Sequence, residues 1–476
     1  MANATPPSSA VPQDGTSPTS GDKPELKRVM GPKLLLLFIV GDILGTGVYA
    51  LTGKVASEVG GAVWLPFLCA FIVAILTAFS YLELVTKYPQ AAGAALYTHK
   101  AFGLHFLTFM VTFTVMCSGL TSASSASKAF AANFVNAFDI GWSVDGGGVL
   151  AVALCFILLV ALVNYRGVGE SVKANVVLTL VELSGLLIII FIGLVALGQG
   201  KGEPGRLLEF AVPEGESPFM AVTAATALAF FAMVGFEDSV NMAEETKNPS
   251  KIFPKMMLLG LSITGVIYIL VSISSVALVA PAELGEGDAP LLKVVAAGAP
   301  AFPIIIFAFI TMFAVANSAL INMLMASRLL YGMAKQGVLP YKLSAVHRSR
   351  RTPWVAIVVT TALAVGLIAF SDLEALGGTT SLLLLAVFSI VNITVLVLRK
   401  DPVDHDHFRT PTIIPILGFI FCAYLVTPLS GRAAADYKVA GVLLAVGLVL
   451  WLFTWMWRVA SHRKGTESPS ARFEPK

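Results

Sequence analysis

Gly41-Asp42-Ile43-Leu44-Gly45-Thr46-Gly47 stands in the middle of the first apolar segment of this chain. Glycines so closely spaced weaken a helix by roughly 1 kcal/mol each relative to alanine. A carboxylate at the centre of a membrane-spanning helix costs roughly 2.5–3.5 kcal/mol on insertion scales. A helix that only anchors a protein needs neither. Unwound backbone at membrane depth is tolerated where it is buried in protein or lines a cavity. The stretch therefore reads as an interrupted helix that exposes its backbone to a bound solute.

The rest of the chain agrees with a membrane setting. It is 56% hydrophobic and 13% charged, with a mean hydropathy of +0.82. Soluble domains carry about 25% charged residues. The formal net charge of +3 is too small to argue for nucleic acid. Cys69, Cys117, Cys155 and Cys422 all fall in apolar segments, and their spacing matches no metal motif. No metal and no cofactor is expected.

Twelve apolar segments are long enough to span, given that about 20 residues cross the hydrocarbon. They are 33–54, 62–86, 104–135, 148–165, 173–198, 217–245, 254–280, 301–333, 353–371, 375–398, 411–429 and 438–459. The segment at 104–135 reads as the least regular, because its second half is rich in serine and alanine. Residues 1–30 read as a disordered cytoplasmic tail, 31–460 as a transmembrane domain, and 461–476 as a second cytoplasmic tail. With the N-terminus inside, most of the 32 lysines and arginines fall on the cytoplasmic side. Both termini are therefore expected in the cytoplasm of a multi-pass protein of the plasma membrane, bathed in lipid.

A second interruption is expected in the sixth segment. Phe230-Phe231-Ala232-Met233-Val234-Gly235-Phe236 is followed at once by Glu237 and Asp238. The first and sixth segments cross in opposite senses. Two interrupted helices five apart are the signature of an inverted repeat. That would place one repeat at about 33–198, a second at about 217–398, and two extra helices at about 411–459.

Such interruptions have a chemistry. The half-helix starting near Gly45–Gly47 offers free N–H groups and a positive dipole end, which suit a carboxylate. The half-helix ending near Phe231 offers free carbonyls and a negative end, which suit an ammonium group. Together they form a receptor for a zwitterion. Asp42 can also serve as a cap on the unwound stretch.

At this point the residues match a family. GDILGTGVYALTG (41–53) resembles the helix 1 motif of the amino acid–polyamine–organocation superfamily. AMVGFEDSVNMAEETKNPSKIFP (232–254) resembles its sixth helix and cytoplasmic continuation. YLELVTKYPQAAGAALYTHKAFG (81–103) and SRLLYGMAKQGVLP (327–340) resemble its loop between helices 2 and 3 and its eighth helix end. The nearest branch is the cationic-amino-acid-transporter-like one. The resemblance implies an all-α protein of twelve transmembrane helices, with a leucine-transporter-like five-plus-five inverted repeat. It also implies alternating-access uptake or exchange of amino acids, with no enzymatic activity.

Carried over by position, the resemblance puts the substrate against Gly45, Thr46 and Gly47, and against Phe230, Phe231, Ala232 and Val234. Phe231 or Phe236 becomes the aromatic gate. Two departures stand out. Asp42 occupies a position that is usually small or amide-bearing, and so joins the substrate set. Glu182, in GESVKANVVLTLVELSG (169–185), stands where proton-coupled members often carry a lysine, and so is the candidate coupling group. Asn317 and Ser318 are polar within the eighth segment. They are candidates for a sodium site or for hydrogen bonding between helices.

The leading reading is a proton-coupled amino acid permease or exchanger. A sodium-coupled amino acid or polyamine transporter is the nearest alternative, and a non-transporting amino acid sensor is a third. A membrane enzyme is a poor fit, since the six histidines lie in loops, at helix ends or in the C-terminal tail.

Overall fold

A computed structural model describes residues 30–90, 93–138, 140–141, 147–166, 171–212, 217–335, 339–350 and 352–463. The expected tails, 1–30 and 461–476, lie almost wholly outside these residues.

The described residues are helical nearly throughout. The first half holds α1 (Pro32–Ile43), α2 (Thr46–Val59), α3 (Trp64–Lys87), α4 (Gly93–Phe102), α5 (His105–Ala137), α6 (Gly147–Arg166) and α7 (Ser171–Gly198). The second half holds α8 (Pro218–Ala229), α9 (Pro249–Leu278), α10 (Pro281–Gly285), α11 (Pro290–Gly298), α12 (Ile304–Lys335), α13 (Trp354–Phe370) and α14 (Leu373–Leu398). Helices α15 (Ile413–Val426) and α16 (Ala434–Arg463) follow. Strand pairing among the described residues is limited to two isolated bridges, Met30 with Thr246 and Gly60 with Phe210.

Ten runs, with α1–α2 and 218–243 each counted as one, are long and apolar enough to cross a membrane. Helices α13 and α15 are apolar but shorter. Helix α15 stops at Val426 because Thr427 precedes Pro428, and a residue before proline disfavours helical backbone. The short helices α4, α10 and α11 lie in what the hydropathy pattern leaves as loops.

Helix α5 is continuous over 33 residues, against the expectation of an irregular second half. Most of its serines and threonines return their hydroxyls to carbonyls of the preceding turn, as Ser124 does to Leu120 at 2.8 Å and Ser127 to Ala123 at 2.8 Å, while the Ser125 hydroxyl is buried without a partner. The small side chains let neighbouring helices approach. Helix α5 packs along α12 and α14, and Thr121 meets Thr380 at 2.7 Å. Helix α3 packs on α9, and α1 on α7 and α9.

One end of the bundle is fastened by a polar knot. Glu83 of α3 accepts two bonds from Arg399, at 2.8 and 2.7 Å, and a third from the Thr410 amide at 2.9 Å. Lys87 donates to the carbonyls of Leu398 and Asp401, at 2.6 and 2.5 Å. These bonds tie the end of α3 to the end of α14 and to the loop leading into α15. The bonds that Arg399 donates to Glu83 hold its guanidinium above its ordinary pKa.

Candidate functional site

Helix α1 ends at Ile43 and α2 begins at Thr46. Leu44 turns to extended backbone (ψ 93°), and Gly45 follows at φ −144° and ψ −151°. The first-turn N–H groups of α2 have no helical acceptors, and Gly45 brings no side chain to cap them. Helix α8 ends at Ala229. A single 3₁₀ turn, Phe230–Met233, gives way to extended backbone at Val234 (φ −70°, ψ 143°).

The two interruptions touch. Gly235 has φ +126°, which side chains other than glycine rarely adopt. A methyl group there would also stand 2.6 Å from the Asp42 carbonyl oxygen. A methyl group on Gly47 would stand 2.8 Å from that of Ala232. Glycine at these positions is therefore demanded by a close approach of the two backbones.

A cavity lies where they meet. Asp42, Ile43, Gly45, Thr46 and Gly47 line it from the first interruption. Phe231, Val234, Gly235 and Asp238 line it from the second. Ser122 of α5, with Ser318 and Asn322 of α12, forms the opposite wall. The free space accommodates a water molecule or two, not an amino acid. A second cavity shares Val234, Asp238 and Asn322 with it and continues between α5 and α12 past Glu237 to Leu329.

The lining is acidic. Asp42 lies within electrostatic reach of Asp238 and Glu237, and also of Glu182. No ion pair among the described residues involves any of these four. Asp42 Oδ2 is buried without a hydrogen-bond partner, as is the Thr46 hydroxyl. Glu237 is better provided for, accepting the Gly235 amide at 2.9 Å.

Glu182 of α7 is fully buried, and neither carboxyl oxygen has a hydrogen-bond partner. Asn317 lies beside it, outside hydrogen-bond geometry, with its own Nδ2 unpartnered. Two tyrosines tie this point to the first interruption. Tyr49 of α2 donates to the Glu182 carbonyl at 2.5 Å, and Tyr268 of α9 donates to the Ile43 carbonyl at 2.5 Å.

Of the residues named from sequence, Asp42, Gly45, Thr46, Gly47, Phe231, Val234 and Ser318 share one cavity. Ala232 stands behind it, against Gly47. Phe230 and Phe236 belong instead to an aromatic cluster with Tyr81 and Phe388, at ring separations of 5.3–6.0 Å. Glu182 and Asn317 form a neighbouring buried group. Sequence reasoning passed over Ser122, Asn322 and the two tyrosines as site residues. Asn322 had a signal, since it lies one turn beyond Ser318 and donates to its carbonyl at 2.9 Å.

A multi-pass helical membrane protein with interrupted helices around a buried polar cavity is equipped to hold a small polar solute at membrane depth. Residues 32–456 match the amino acid permease family. The chain belongs to that family, within the amino acid–polyamine–organocation superfamily, and is a permease rather than an enzyme. It is 26% identical to the branched-chain amino acid permease BcaP of Bacillus subtilis, over 92% of this chain and 95% of the relative. It is 28% identical to the methylthioribose transporter of the same organism, over 90% and 94%. It is 30% identical to the vacuolar cationic amino acid transporter 2 of Arabidopsis thaliana, over 80% of this chain and 61% of that longer protein.

Proposed function

We propose that this permease is a secondary active transporter that moves amino acids across the plasma membrane by alternating access, coupled to protons. The observation that carries the reading is the contact of two helix interruptions around one polar cavity. The N–H groups at the start of α2 suit a substrate carboxylate. The carbonyls at the end of α8 suit its ammonium group. The relatives named for branched-chain amino acids, a methylthio sugar and cationic amino acids leave the choice of solute to the side chains of the lining.

The architecture we infer has twelve crossings, with α13 and α15 completing the ten longer runs. It contains inverted repeats at about 33–198 and 217–398 and an extra pair at 411–459. Supporting it, α3 of the first half packs on α9 of the second, α5 on α12 and α6 on α13, pairs that a two-fold relation between halves would make equivalent. Basic residues favour both termini in the cytoplasm. In that orientation the second cavity leads inward from the site. Phe231 then serves as a gate at the site, and Phe236 supports it from the aromatic cluster.

Glu182 is the coupling group in this reading. A buried carboxyl with no cation beside it, next to the helix 1 interruption, can exchange a proton as the helix moves. Ser318 lines the cavity and Asn317 lies beside Glu182, and we read them as polar neighbours of the substrate and of the coupling group. The test is uptake of radiolabelled amino acids into proteoliposomes, with an imposed pH gradient or an imposed sodium gradient. Wild type is expected to accumulate substrate with the first alone. Glu182→Gln is expected to equilibrate substrate without accumulating it. Accumulation by Glu182→Gln equal to wild type would remove Glu182 from the mechanism.

A further inference from the structure

Outside the cavity, a buried arginine is fully engaged. Arg432 lies in the turn between α15 and α16, with its side chain 1% exposed. It pairs with Asp436 at 2.9 Å. Its other bonds go to the carbonyls of Gly378 at 2.6 Å, Leu425 at 3.2 Å and Ala227 at 3.3 Å, and to the Ser381 hydroxyl at 3.0 Å. Ser381 itself donates to the Ala227 carbonyl. One guanidinium thus joins four elements: the last turn of α8, the first turns of α14, the end of α15 and the start of α16. A guanidinium suits this task because its donors form a rigid fork.

Two of the elements it joins, α8 and α14, meet beside the cavity. Gly377, next to Gly378, is the seat of that contact. A methyl group there would stand 2.5 Å from Leu51 of α2 and 3.5 Å from Phe231. Leu51 and Phe231 therefore rest on α14 at the outer end of the site, with Phe231 lining the cavity. Arg432 grips α14 one residue further on, and α8 four residues before Phe231. Nothing in the site itself requires a buried arginine in the turn after α15.

We propose that Arg432 is the positioning residue of the outer closure: it holds α14 and the end of α8 together so that Leu51 and Phe231 seat on Gly377. The inference rests on the alternating-access reading above. It predicts that loosening the Arg432 grip shifts the protein toward states in which the site opens outward.

The experiment uses full-length protein whose four cysteines are replaced by alanine, with Ser318→Cys as a reporter in the cavity wall. A membrane-impermeant thiol reagent is applied from outside, and the modification rate is measured. The Arg432→Met, Asp436→Asn pair removes both charges with little change of volume. Thermal melting in detergent checks the fold. We expect about tenfold faster modification in the double variant, at a melting point close to the parent. Phe231→Ala is run beside it. If Phe231→Ala exposes the reporter and the double variant does not, the Arg432 proposal falls and the gate stands. If neither exposes it, both fall. Exposure by the double variant alone supports the proposal and moves the closure from Phe231 to the Leu51–Gly377 contact.

Discussion

Gly45 and Asp42 illustrate how single residues set what the site accepts. A methyl group on Gly45 would meet the Ser318 hydroxyl at 3.3 Å, and any larger side chain must enter the cavity. Gly45→Leu is therefore expected to abolish uptake while leaving insertion and expression intact. Wild-type uptake by a well-expressed Gly45→Leu protein would make the interruption merely structural. Asp42 is proposed to act through charge. Ionised together with Asp238 and Glu237, it would make the cavity a poor place for a second carboxylate and a good one for a cation. A charge pair at 4 Å and intermediate dielectric amounts to about 4 kcal/mol, enough to choose between substrates. Asp42→Asn is expected to weaken basic substrates far more than neutral ones in competition uptake assays. Efficient uptake of glutamate or aspartate by wild type would contradict this.

At the scale of elements, the interruptions work because glycines let two backbones meet. Gly235→Ala forces an unfavourable φ and a contact with the Asp42 carbonyl oxygen. The expected loss is about 1–3 kcal/mol, read as a lower melting temperature in detergent, with uptake falling at least in parallel. A melting point unchanged from wild type would show that the second interruption relaxes freely. Interruption of both helices was expected from glycine and acidic residues in apolar runs. Their mutual contact was not, because Asp42 and Gly235 lie nearly two hundred residues apart. The regularity of α5 was also hidden. Serine- and alanine-rich sequence reads as irregular until most of its hydroxyls are seen bonded to the preceding turn and the helix is seen packed on α12.

For the whole molecule, the proposed orientation puts the Glu83–Arg399 knot in the cytoplasm and the Arg432 node outside. Cysteines at Asp404 and Glu286 sample the two faces. In intact cells an impermeant reagent is expected to label Glu286→Cys and to spare Asp404→Cys until the membrane is permeabilised. The reverse pattern would invert the topology. Sequence by itself determined the membrane setting and the helical class. Each follows from local composition and spacing, which hydrocarbon and backbone chemistry read directly. Tertiary structure alone decided which residues face one another. It joined Asp42, Asp238, Ser122 and Asn322 in one cavity, turned Phe236 away into an aromatic cluster, and buried Arg432 among carbonyls of three helices. The side a residue presents is set by the packing of distant helices, and no local pattern along the chain encodes that packing.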